Sequence, residues 1–135
     1  MSRKTARELA FKLIFSLEIQ KEDKENQYEN FISNNEIEDK DTLSYISKIF
    51  EGIYENNENI VNIISNNLKD NWAIERLSKI DISILKLATY ELVYTDVPYK
   101  VVINEAVELA KQYGDDNSPS FVNGVLAGVL KQVKE

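Results

Sequence analysis

The sequence predicts an all-α fold, a compact helical domain of about seven helices, on three observations. Apolar residues recur at three- and four-residue steps almost throughout, which is the helical period and not the alternation of a half-buried strand. Only two prolines and four glycines interrupt the 135 residues. No internal repeat or low-complexity linker divides them, so one domain spanning residues 1–135 is expected.

The first helix is expected from about Thr5 to Ile19. Thr5 and Glu8 have capping-box spacing, in which hydroxyl and carboxylate each satisfy a backbone donor left open by the first turn. Leu9, Leu13 and Leu17 give its core stripe. In the acidic, Asn-rich stretch from Gln20 to Lys40, Tyr28, Phe31 and Ile32 predict one short helix between loops. A helix after Asp41 turns Leu43, Ile46, Phe50, Ile53 and Tyr54 inward. ENNEN, residues 55–59, breaks the pattern, and Ile60, Val61, Ile64 and Leu68 mark the next helix.

Asp81 reads as the N-cap of the segment ISILKLATYELVY, whose Ile84, Leu85, Ala88 and Leu92 form one stripe. Pro98 stops that helix. Another, from about Val102 to Tyr113, ends at Gly114, a residue suited to a left-handed C-cap. Ser118 and Pro119 then read as N-cap and N1 of the final helix, because proline has no N–H to lose there and its φ is already helical. Val122, Val125, Leu126, Val129 and Val133 form its core stripe.

Composition excludes several chemistries. The chain has no cysteine and no histidine, so disulfides, thiolate sites, imidazole bases and HExxH zinc helices are all absent. Enzymatic work would fall to carboxylates, lysine or tyrosine. No apolar run approaches the ~20 residues of a membrane span, and the N-terminus has no signal-peptide pattern. A soluble, cytoplasmic protein is expected.

The net charge of −7 is unevenly placed. Residues 1–15 carry Arg3, Lys4, Arg7 and Lys12 against Glu8 alone, whereas residues 16–58 hold twelve acids and four lysines. A basic first helix therefore sits on an acidic body. At 100° per residue, Phe11 and Phe15 lie roughly 120–170° from the aliphatic face of that helix, beside Lys4 and near Arg7. Cations that track phosphates and rings that stack on bases are what single-stranded RNA requires. The competing reading is a first helix buried on two sides.

Phe121 repeats the pattern at the mouth of the last helix, about 90° off its core stripe. Gly124 and Gly128 share its flank, a spacing read chiefly as close helix packing. Glu105 with Glu108, and Asp115 with Asp116, are carboxylate pairs without convergent partners in sequence, read as a solvated face and a loop. Lys86, Glu91 and Arg76 read as ordinary surface charges. No Gly-rich phosphate loop occurs.

VPYKVVINEAVELAKQYG followed by SPSFVNGVL resembles the C-terminal signature of the NusB transcription antitermination factors. ILKLATYEL is similar to that family's preceding helix, and RKTARELAFKLIFSLE to its first. The resemblance covers essentially the whole chain, with residues 20–70 matching only in helical pattern. It implies two packed helical bundles and a role without catalysis, cofactor, metal or small-molecule substrate.

The resemblance further implies binding of the boxA segment of nascent ribosomal RNA together with a small-subunit ribosomal protein, NusE. The pair would join the Nus complex on RNA polymerase. The RNA-binding residues carried over are Arg3, Lys4, Arg7, Phe15 and Phe121, with Ser118 fixing the turn and Asn117 standing where the family often has an acid. Asp81 and Glu75 are carried over for the protein partner. Two departures are a sparser N-terminal arginine run and Phe15 where tyrosine is frequent; the fewer cations imply weaker RNA binding alone and more dependence on the partner.

All of these cations and rings, from both ends of the chain, are expected on one solvent-facing patch. The alternatives are a helical protein-interaction domain of the kind fused to ribosomal-RNA methyltransferases, disfavoured because no catalytic domain follows Glu135, and a carboxylate enzyme.

Overall fold

The computed structural model describes residues 2–69 and 72–134, and the expected domain ends, Met1 and Glu135, lie outside them. Within that range seven α-helices and one 3-10 turn follow in order, with no strand. α1 (Arg3–Ile19) starts two residues before the expected Thr5, because Ser2 is the cap: its Oγ accepts from the Thr5 N–H at 3.1 Å. α2 (Lys24–Asn34) is the short helix expected between loops; none of its residues is fully buried, and Tyr28 fastens it by stacking on Phe50 at 4.7 Å.

α3 (Lys40–Glu55) is capped by Asp39, whose Oδ2 accepts from both the backbone and the hydroxyl of Thr42. α4 (Asn57–Asn66) follows after the single residue Asn56, so the expected break at residues 55–59 shrinks to one corner. There the Asn56 side chain donates to the Gly52 carbonyl at 2.8 Å, beside the bond from its own backbone N–H at 3.1 Å. Residues Ile74–Arg76 form the 3-10 turn that leads into α5 (Lys79–Tyr94).

Ser78, and not Asp81, caps α5. Its Oγ receives the Asp81 N–H at 3.0 Å, which puts Asp81 three residues inside the helix. α6 (Tyr99–Tyr113) begins directly after Pro98. Gly114 ends it with φ −89° and ψ −171°, an extended conformation and not the left-handed one expected. Glycine is needed there for space: a Cβ would collide with the Ser118 side chain and lie 2.9 Å from the Ala110 carbonyl oxygen.

α7 (Ser118–Lys134) opens one residue earlier than expected, since the Phe121 N–H already donates to the Asn117 carbonyl. The capping oxygen comes from Asp115, whose Oδ1 accepts from the N–H groups of Asn117 and Ser118 at 2.8 and 3.1 Å.

The helices form two groups that share α5. α1 packs with α2 and α3, α7 packs with α4 and α6, and α5 touches α1, α3, α4, α6 and α7. An axis surrounded in this way must be covered on all sides. Eleven of its residues are accordingly buried, including Ile82 and Leu87 outside the expected single stripe. Gly52 on α3 lets the Tyr90 ring of α5 come against the backbone; a Cβ there would overlap the ring.

Lys86 and Glu91 are therefore not surface charges. Both lie inside, and each is matched to an opposite charge on α1: Lys86 Nζ to Glu18 Oε2 at 2.6 Å, and Glu91 to Arg7 at 2.9 Å. Buried charges persist only with such partners.

Candidate nucleic-acid interface

The first turn of α1 projects Arg3 and Lys4 into solvent, but not in one direction. Arg3 lies over the Tyr45 ring of α3 at 4.8 Å, a cation–π contact. The Lys4 side chain, 70% exposed, instead approaches Glu105 of α6 at 3.8 Å.

Arg7 departs furthest from expectation. It is 4% exposed, donating through Nε and Nη2 to the two carboxylate oxygens of Glu91 at 2.9 and 3.0 Å. The Tyr45 hydroxyl adds a third bond to Glu91 at 3.3 Å. Burial alone would pull the guanidinium pKa down, yet the bonds and charge of Glu91 outweigh it and the pKa is raised. Arg7 is a fixed cation of the core and not part of a solvent-facing stripe.

The rings divide as well. Phe11, expected to face outward, is 2% exposed, with Phe15 at 6.3 Å on one side and Tyr113 at 5.0 Å on the other. The Tyr113 hydroxyl is tied to Glu8 at 2.8 Å. Phe15 is half-buried against the core, so the second apolar face of α1 is largely a packing face. Phe121 belongs to a different aromatic pair, with Trp72 at 6.3 Å. The single patch of four cations and two or three rings does not form.

The two ends of the chain nevertheless meet. One open cleft is lined by Lys4 of α1, by Glu105, Glu108 and Lys111 of α6, and by Pro119 and Ser120 of α7. The cleft thus offers two exposed lysines beside the first turn of α7, each approached by a carboxylate, Lys4 by Glu105 at 3.8 Å and Lys111 by Glu108 at 3.7 Å. Glu105 and Glu108, read from sequence as a solvated face, set the charge balance of this cleft. Ser120 also borders a neighbouring groove lined by Asn67, Lys69, Trp72, Phe121 and Gly124.

Asn117 is exposed on the turn before α7, while Ser118 is 1% exposed, its Oγ accepting from the Asp115 N–H at 3.1 Å. Ser118 thus shapes the turn and presents no surface. Of the two carried-over acids, Glu75 is exposed on the 3-10 turn. Asp81 is 9% exposed, and its Oδ1 is enclosed without a hydrogen-bond partner. Burial raises the Asp81 pKa, the nearby Ser118 hydroxyl draws it partly back, and the charge of Asp115 adds to the rise.

Sequence reasoning missed Trp72 and the buried pairs Lys86–Glu18 and Glu91–Arg7. A signal for the pairs was present, because Lys86 and Glu91 interrupt an otherwise apolar helix, where burial demands partners.

The NusB family model matches residues 4–131. The transcription antitermination protein NusB of Clostridium novyi (strain NT) is 47% identical over 134 residues, 97% of this chain and 99% of that protein. That of Clostridium acetobutylicum is 46% identical over 136 residues, 100% and 99% of the two chains. Among solved structures, T. maritima NusB matches with a TM-score of 0.90 at 39% identity, over 98% of this chain and 92% of that one. A chain of the crystal structure of the antitermination factors NusB and NusE in complex with dsRNA matches with a TM-score of 0.88 at 28% identity, over 96% of each. With a family model covering nearly every residue and a fold shared to this degree, the chain belongs to the NusB family.

Proposed function

We propose that this protein is a transcription antitermination factor that works by binding and not by catalysis. It takes the boxA segment of nascent ribosomal RNA together with the ribosomal protein NusE, and joins the Nus complex on RNA polymerase in the cytoplasm. The observation that carries this reading is the cleft in which Lys4 and Lys111 flank the first turn of α7, joined through Ser120 to the groove that holds Phe121. Both lysines are exposed, and lysines so placed neutralise phosphates with release of counterions. The NusB relatives, and the structural neighbour that holds NusE and RNA, support the same reading.

In this reading Lys4, Arg3 and Asn117 contact the RNA backbone and Phe121 a base. Arg7 and Ser118 hold the first and last helices in place behind them, and Phe15 backs the α1 face. Glu75 is the acid open to the protein partner, whereas Asp81 lies inward and acts on the α6–α7 turn.

Glu105 and Glu108 oppose phosphate in the same cleft, and Arg7 is neutralised by Glu91. RNA binding by this chain alone is therefore weak and strengthened by the partner. Titration of labelled boxA RNA, with and without NusE at two salt concentrations, tests this. The expected result is salt-sensitive binding that tightens with NusE; affinity indifferent to both salt and boxA sequence would overturn it.

A further inference from the structure

We propose that Trp72, Phe121 and Gly124 form a slot that receives one unpaired RNA base; the inference rests on the RNA-binding reading above and adds a subsite to it. Trp72 is the only tryptophan of the chain and is 53% exposed. Leaving so large an apolar ring in water forgoes burial that a monomer would ordinarily exploit. Its ring stands 6.3 Å from that of Phe121, tilted by 34°, so the two rings lie side by side along one groove of about 510 Å³. That volume is within the range of small-ligand sites.

The floor of the groove is the second observation. Gly124 lies inside α7, where glycine is unfavourable compared with alanine. At Gly52 and Gly128 a Cβ would meet Tyr90 and Asn67, so those glycines serve internal packing. At Gly124 a Cβ would meet nothing within 4 Å. The space it leaves open is not used by the protein's own side chains. It bares the helix beside the two rings, as a flat ligand lying against α7 requires.

Charge and continuity identify the occupant. In a chain of net charge −7, none of the described residues lining this groove is acidic, and Lys69 is among them. Ser120 lines both this groove and the Lys4–Lys111 cleft. A strand whose phosphates follow the two lysines across the first turn of α7 arrives at the slot with its next base turned toward the rings. Stacking on exposed aromatic rings holds an unpaired base with little regard to its identity.

The test uses single-stranded boxA RNA and the full chain, reading anisotropy of labelled RNA and the emission of Trp72 in parallel. Trp72 emission is expected to change over the same RNA concentrations as the anisotropy. Trp72→Ala is expected to weaken binding ~10-fold, within the range measured for loss of one stacked base. Gly124→Leu, which fills the slot while keeping both rings and favouring the helix, is expected to weaken binding similarly without lowering Tm. One abasic position in the RNA should cost the wild type ~10-fold and cost Trp72→Ala nothing further.

RNA binding that leaves Trp72 emission unchanged and is indifferent to both substitutions would overturn the slot while leaving the RNA-binding reading intact. Loss of NusE binding with RNA binding unaltered would overturn it in favour of a protein side chain as the occupant. No RNA binding at either salt, with or without NusE, would overturn both.

Discussion

Arg7 and Glu91, 84 residues apart, form a two-bond ion pair at 2.9 and 3.0 Å that ties the first helix to the central one in the interior. Removing either partner strands the other charge, so Arg7→Ala or Glu91→Ala is expected to cost ~3–5 kcal/mol of stability. Replacing both, as Arg7→Met with Glu91→Leu, is expected to cost less than either alone. Denaturant midpoints of the three variants check this.

Lys4 has the exposure that Arg7 lacks. Lys4→Ala is expected to leave Tm unchanged, weaken RNA binding and reduce the log–log salt slope by ~0.7. A salt titration of the variant against the wild type measures the slope.

The two phenylalanines separate packing from recognition. Phe11→Ala, which empties a site enclosed by Phe15 and Tyr113, is expected to lose ~3–5 kcal/mol of folding stability. Phe121→Ala is expected to lose ~1–3 kcal/mol in RNA binding with a much smaller change in stability. Equilibrium unfolding beside RNA anisotropy distinguishes the two.

Glycine substitutions report the space that each glycine fills. Gly124→Ala, with nothing near its new Cβ, is expected to stabilise the protein by ~1 kcal/mol. Gly52→Ala must displace the Tyr90 ring and is expected to cost ~1–3 kcal/mol. Thermal melts give both signs.

Asp81 predicts a pH dependence. Its pKa in the folded protein is raised above the ordinary 3.8, so the native state takes up this proton before the unfolded chain does as the pH falls. The destabilisation caused by its ionised form is full above the folded pKa and is relieved as the pH drops through that value toward 3.8. Asp81→Asn is expected to be more stable than the wild type at pH 7, with the advantage shrinking over that window. Unfolding curves from pH 7 to pH 3 would show it; an advantage that grew on acidification would contradict the assignment.

The helices were legible because the helical period is a local property: an apolar residue at every third or fourth position marks a face whatever lies opposite it. Seven helices, their order and most of their inward residues follow from that pattern, as does the exclusion of thiol and imidazole chemistry. Cap positions slipped by one to three residues where two capping side chains were close in sequence. Ser2 and Thr5 compete at α1, as Ser78 and Asp81 do at α5, and only the backbone path chooses between them.

The second face of a helix was not legible in this way. The sequence by itself determined that α1 carries cations and rings opposite its aliphatic stripe. The tertiary structure decided that Arg7 and Phe11 are interior, that Lys4 stays in water, and that Phe121 pairs with Trp72 and not with Phe15. The reason is that burial is settled by what docks from across the chain: Glu91 makes a buried arginine tolerable, and Tyr113 closes over Phe11. Neither partner lies within the few residues over which a sequence pattern can speak.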